Sequence, residues 1–143
     1  AHGCQHAILY DQEDFAVRTR EITDGKGVDV VYDSVGQATF MKSLDCLRPM
    51  GMMVSFGQAS GLVQPFDPGL LSAKGSLFLT RPSLMTYTAE REALLEHAQD
   101  LFEVVENGAV KIDVRQTYPL AEAARAHQDL EARKTTGSTV LLP

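Results

Sequence analysis

Three short stretches of this 143-residue chain combine small and polar residues where a ligand could be held. They are Asp33-Ser34-Val35-Gly36, Ser55-Phe56-Gly57-Gln58-Ala59-Ser60-Gly61 and Thr80-Arg81-Pro82. Each follows an apolar or β-branched run that reads as a strand. In an open parallel sheet, ligands bind just beyond the C-terminal ends of the strands. A glycine there lets backbone N–H groups approach a ligand closely, because no side chain intervenes. One such turn is weak evidence, since strand-to-helix turns also use glycine for conformational reasons alone. Three at the same edge of one sheet point to a binding crevice. Arg81 has two readings, contact with a ligand or closure of the strand before it.

No residue pattern marks a nucleophile, a general base or a metal site, so the expected catalytic and metal-ligand sets are both empty. The chain has no GxGxxG, no GxxxxGK[ST], no GxSxG and no HExxH. His2, His6, His97 and His127 are scattered, and the last two fall in helical segments, where packing or surface roles are the simpler reading. Cys4 and Cys46 have no ligand spacing and read as free, buried thiols of a reducing compartment, which implies a cytoplasmic protein. Such silence suits hydride transfer, in which a cofactor carries the reactive atom and the protein supplies position and electrostatics.

Composition narrows the partners. A net charge of −6 argues against nucleic acid, whose phosphates need a basic face. No apolar run approaches the roughly 18 residues that span a bilayer, and no basic amphipathic stretch suggests a membrane surface. With 44% hydrophobic and 22% charged residues the composition is that of a globular domain. The first residue is Ala and the 143 residues show no signal-peptide pattern, so the chain reads as a mature product, an excised domain or a fragment.

The elements that must position the three turns alternate in type. Ala7–Tyr10 reads as a short buried strand, and Asp14 can cap a helix over Phe15–Thr23 that stops at Gly25. Val28–Asp33 is a strand. Phe40, Leu44 and Leu47, at i, i+4 and i+7, predict a helix ended by Pro49. Met52–Phe56 is the next strand, Leu62–Gly69 a loop, Leu70-Leu71 part of a short helix, and Ser76–Thr80 a third strand. Thr88 is placed to cap a long helix whose apolar face is Leu94, Ala98, Leu101, Phe102 and Val105, ending at Asn107-Gly108. Val110–Val114 reads as a strand, and Pro119 as the first turn of a helix with Leu120, Ala123, His127 and Leu130 on one stripe. A turn at Lys134–Gly137 and a strand over Ser138–Leu142 close the chain. Strands alternating with helices predict an α/β fold with a mostly parallel sheet.

The strings VVYDSVG (Val30–Gly36), SLDCLRPMGMMVSFGQASG (Ser43–Gly61), LTRPSL (Leu79–Leu84) and AEAARAHQDLEARKTTGSTVLLP (Ala121–Pro143) resemble zinc-independent quinone oxidoreductases of the medium-chain dehydrogenase/reductase superfamily. The resemblance covers essentially the whole chain. It implies a doubly wound Rossmann domain, strand order 3-2-1-4-5-6, set beside a GroES-like catalytic domain. Residues 1–109 would then form an incomplete Rossmann domain carrying strands 3 to 6. Residues 110–143 would return to the catalytic domain, and Ala1–Cys4 would end the second Rossmann helix. The implied cofactor is NADPH. Tyr10 resembles the tyrosine near the adenosine and its 2′-phosphate, Ser34 and Val35 border the adenine ribose, and Phe56, Gly57 and Gln58 flank the nicotinamide ribose and carboxamide. Many relatives carry Asn where this chain has Gln58. Arg133 corresponds to an arginine that approaches the cofactor phosphates.

The resemblance further implies hydride transfer from NADPH to a quinone without metal. It also implies a chain that begins downstream of the glycine-rich loop, inactive alone and prone to homo-oligomerise through strand edges. Two alternatives stand beside it, an enoyl or alkene reductase of the same superfamily and a non-catalytic interaction module.

Overall fold

The computed structural model describes residues 3–143, which divide into two compact units, one ending at Thr86 and the other running from Tyr87 to Pro143. In the first unit, α1 (Phe15–Ile22) starts where Asp14 Oδ1 accepts from the backbone N–H groups of Ala16 (3.0 Å) and Val17 (3.3 Å), the cap its sequence position predicts. Lys42 donates to the other oxygen of Asp14 at 2.7 Å. This bond and the two N–H donors hold the Asp14 carboxyl below its ordinary pKa.

Three strands follow, β1 (Val28–Asp33), β2 (Leu47–Ser55) and β3 (Phe78–Thr80), in a parallel sheet of that order. Asp33 pairs with Ser55, and Val54 with Thr80, so the three candidate turns leave the same edge of the sheet. Helix α2 (Phe40–Asp45) crosses from β1 to β2, and α3 (Gly69–Ala73) follows the loop after β2. Phe40, Leu44, Leu47, Met53 and Leu77 form the buried core, with Val28, Val31, Val63, Phe66, Leu70 and Leu71 packed against it. Phe40 and Phe66 lie with ring centroids 5.3 Å apart, which fixes the loop over α2. Arg20 ties α1 to the start of β2, donating to the carbonyls of Asp45 (3.0 Å), Gly25 (3.0 Å) and Leu47 (2.8 Å).

Several boundaries differ from expectation. Ala7–Tyr10 is not a strand, because a strand needs a hydrogen-bonded neighbour and none of the described strands pairs with it. Of the helix end expected at Ala1–Cys4, Ala1 and His2 lie outside the described residues, and Gly3-Cys4 is not helical. Cys4 is exposed, and only Cys46 is the buried thiol expected of both. The α2 helix stops at Asp45, and Leu47 already belongs to β2, paired with Val28. Pro49 is therefore a strand residue. It sits where the register shifts between Val28 and Val30, an irregularity in which a residue without an N–H is tolerated. Met50 beside it adopts φ +59° and donates to the carbonyl of Gly75 at 2.8 Å. β3 starts at Phe78 and not at Ser76, which turns with φ +58°.

A short helix, α4 (Leu84–Tyr87), spans the division between the units. In the second unit, α5 (Arg91–Glu106) has Glu90 and not Thr88 at its N-cap and ends at Asn107 as expected. Its apolar face is not buried, with Leu94, Leu101 and Phe102 46%, 55% and 58% exposed. Periodicity reports which face is apolar, not whether another element covers it. The next strand, β4 (Val114–Pro119), begins where the predicted one was to end, because 110–113 complete the helix exit, with the Val110 N–H donating to the Val104 carbonyl. Pro119 closes β4. A 3₁₀ turn (Leu120–Glu122) leads into α6 (Ala123–Glu131), where Ala126 is buried while Leu120 and Leu130 are exposed. β5 (Ser138–Leu142) pairs parallel with β4. Asp129 joins α6 to β4 by accepting from Tyr118 (3.0 Å) and Lys134 (3.2 Å).

Candidate functional site

The end of β1 is organised by one carboxylate. Asp33 is 4% exposed, and its Oδ1 accepts from the backbone N–H groups of Val35 (2.8 Å) and Gly36 (2.9 Å). Its Oδ2 accepts from the hydroxyls of Thr39 (2.7 Å) and Ser43 (2.8 Å). Burial pushes the Asp33 pKa up and is the largest single influence. The four donors together outweigh it, so the carboxyl stays below its ordinary value and ionised. Thr39 and Ser43 are one helical turn apart, so the same contacts aim the start of α2 at the sheet. Sequence reading missed this hub. Its signal was two hydroxyl residues four apart, following an acidic strand end.

The turn after β2 is fastened to the turn after β1. The Asp33 carbonyl accepts from the N–H groups of Phe56 (2.9 Å) and Gly57 (3.2 Å), the Ser34 carbonyl from Ala59 (3.2 Å) and the Val35 carbonyl from Ser60 (2.8 Å). Ser60 adds its hydroxyl, donating to Val35 O at 2.7 Å and accepting from Ala38 N at 2.9 Å. Gly57 lies flat on Ser34, where a Cβ would meet Ser34 O at 2.3 Å and Ser34 Cα at 2.7 Å. These glycines therefore serve turn-on-turn packing. The backbone N–H groups of Val35, Gly36, Phe56, Gly57, Ala59, Ser60 and Gly61 all bond within the two turns, so they are not the ligand donors that glycine-rich turns suggest.

Arg81, at the end of β3, completes the edge. Its Nη1 donates to the carbonyls of Ser55 (2.7 Å) and Gly57 (3.1 Å), and its Nη2 to Gln58 Oε1 (3.3 Å). These bonds are the strand closure that is one of its two readings.

Two hollows flank the joined turns. One, of about 270 Å³, is lined by Tyr10, Phe15, Tyr32, Ser34, Val35 and others. The second, of about 520 Å³, is lined by Gly57, Gln58 and Arg81 on its polar side and by Leu62, Val63 and Phe66 among its apolar wall. Tyr10, Ser34 and Val35 thus come together on one side, and Gly57 and Gln58 on the other. Phe56 is 52% exposed beside them and lines neither hollow. Arg133 lies in the second unit at φ +56°, just past the end of α6. Among the described residues no cluster of His, Cys, Asp or Glu is arranged to hold a metal ion, and no helix is long and apolar enough to cross a membrane.

A parallel α/β sheet with glycine-joined turns at its C-terminal edge is the geometry of a nucleotide-binding domain, and the chain belongs to the zinc-binding dehydrogenase family, whose pattern matches residues 2–141. It is 53% identical over 142 residues to a quinone oxidoreductase of Pseudomonas aeruginosa, covering 99% of this chain and 44% of that one. It is 51% identical to a 2-haloacrylate reductase of a Burkholderia species, over 99% of this chain and 43% of that one. Among solved structures, the Escherichia coli quinone oxidoreductase complexed with NADPH superposes with a TM-score of 0.93 at 50% identity, covering 99% of this chain and 44% of that one. The fold is therefore the Rossmann-like domain of these enzymes, and the chain spans less than half the length of the relatives it matches.

Proposed function

We propose that this chain is the C-terminal, cofactor-lining part of a reductase that passes hydride from NADPH to a quinone. The observation that carries the reading is the pair of hollows on either side of the glycine-joined turns, in a chain about half identical to enzymes of that name. The residues fit an extended dinucleotide crossing those turns. Tyr10, Ser34 and Val35 hold its adenosine side and Phe56, Gly57 and Gln58 its nicotinamide side, and the motif resemblance alone assigns Arg133 to its phosphates. NADPH supplies the hydride, and the chain supplies walls, orientation and exclusion of water. Residues 1–109 belong to the dinucleotide domain and 110–143 to the segment that returns to the catalytic domain. The reading includes the zinc-independent class, on the motif resemblance, and a cytoplasmic location, on the two free cysteines. It also includes homo-oligomers joined at strand edges, where Tyr32 and Phe78 are 73% and 57% exposed.

The intact protein carrying this sequence is expected to oxidise NADPH faster when a quinone is added. Oxidation indifferent to quinone would remove the assignment. The likeness to a 2-haloacrylate reductase favours a second reading, reduction of an activated alkene, and comparing turnover of a quinone with that of a 2-haloacrylate decides between them.

The 143 residues have no GxGxxG turn of their own, so expressed alone they are expected to bind NADPH weakly and to associate. Micromolar affinity by isothermal titration, or a monomeric mass by light scattering at high concentration, would contradict the respective half of that expectation.

A further inference from the structure

We propose that Arg81 is a positioning residue that sets the polarity of Gln58, so that the second hollow offers a hydrogen-bond donor to a carbonyl oxygen. A guanidinium can only donate. With Nη2 directed at Gln58, the amide must present Oε1 to Arg81, at 3.3 Å, and its NH₂ is turned to the other side. Arg81 cannot swing away to relieve this, because its Nη1 is held by the carbonyls of Ser55 and Gly57, which the sheet and the Asp33 turn hold in turn. Among the described residues nothing accepts from the Gln58 amide nitrogen, and Gln58 lines the hollow. An unconstrained glutamine would offer either its oxygen or its nitrogen, whereas this one is committed to donating.

The inference rests on the proposed function. There the carbonyl at this end is the carboxamide of NADPH or the oxygen of the quinone, two sources of one acceptor chemistry. A shorter asparagine at position 58 would not span the same distance from the backbone to Arg81.

The test uses the intact protein and two variants that separate the donor from the strap. Gln58→Met keeps the length and removes the donor. Gln58→Glu also removes the donor but keeps, and charges, the acceptor that Arg81 holds. Both are expected to weaken NADPH binding about fivefold in a fluorescence titration without quinone, the size of one hydrogen bond. Gln58→Glu should lose nothing in melting temperature. Arg81→Lys should weaken binding by a similar factor in the wild-type background and add nothing in Gln58→Met, because it acts through Gln58.

If NADPH binding is unchanged while the KM for quinone rises about fivefold in both Gln58 variants, the donor is confirmed and its acceptor is the quinone. Gln58→Glu equal to wild type on both readouts would overturn the inference. So would Arg81→Lys costing as much in Gln58→Met as in wild type, since Arg81 would then be a strap and no more. A wild-type protein that binds no NADPH would overturn the functional reading itself, and this inference with it.

Discussion

Replacing Asp33 with asparagine is expected to lower stability at neutral pH by about 2 kcal/mol, and replacing it with alanine by about 3 kcal/mol or more. The buried carboxylate satisfies four donors at once, from Val35, Gly36, Thr39 and Ser43. Asparagine keeps one oxygen for the two N–H groups but turns an NH₂ toward the hydroxyls. Those can rotate to accept, so only the strengthening due to charge is lost. Alanine strands all four donors and leaves a void. The dependence on pH follows from the depressed pKa. Since the folded-state value lies below the unfolded one, the carboxylate stabilises fully above the unfolded value, and the contribution is lost as pH falls through the folded value. The deficit of Asp33→Asn, measured by denaturant titration, should therefore be largest near neutrality and shrink below roughly pH 4. A deficit that stays constant into acid would show that the charge of Asp33 is not what holds the turn.

Asp33 also illustrates what a sequence can and cannot disclose. The strand Val28–Asp33, the Asp14 cap and the three strand-end turns are all local signals that the structure keeps, whereas the strand read as Met52–Phe56 runs from Leu47 to Ser55. The role of the Asp33 side chain depends on Thr39 and Ser43, six and ten residues away, and nothing before α2 is positioned tells the carboxylate which donors it will meet. Leu47 misled for a related reason. Helix and strand both direct it into the core, where it is 1% exposed, so its burial was foreseeable and its conformation was not. Ala7–Tyr10 has strand composition, but a strand is completed by a partner whose presence its own residues do not encode. The glycines at the strand ends were read with the wrong cause. Their local meaning, N–H groups free for a ligand, gave way to a long-range one, the seating of one turn on another.

That seating makes Gly57→Ala the single-methyl change with the closest backbone clash among the described glycines. Gly57 is absent from the residues with positive φ, so alanine suits its backbone and any loss must be steric. The added Cβ would meet Ser34 O at 2.3 Å, Ser34 Cα at 2.7 Å and Ser34 C at 2.8 Å, all backbone atoms. Ser34 cannot yield by a rotamer change, and its turn is pinned on one side by Asp33 and on the other by Ser60. One turn has to lift, and the bonds from Phe56 and Gly57 to the Asp33 carbonyl stretch as it does. Overpacking of this kind costs about 3 kcal/mol, and displacement of the turns by about an ångström should weaken NADPH binding by tenfold or more in the intact protein. Gly108→Ala is the comparison. At φ +77°, with nothing within 4 Å of an added Cβ, it carries conformational strain without a clash and should cost only about 1 kcal/mol with cofactor affinity intact. Denaturation midpoints and NADPH titrations on the two variants separate the causes. If Gly57→Ala proves no worse than Gly108→Ala on both, the two turns are not packed as tightly as this contact requires, and the crevice does not depend on them.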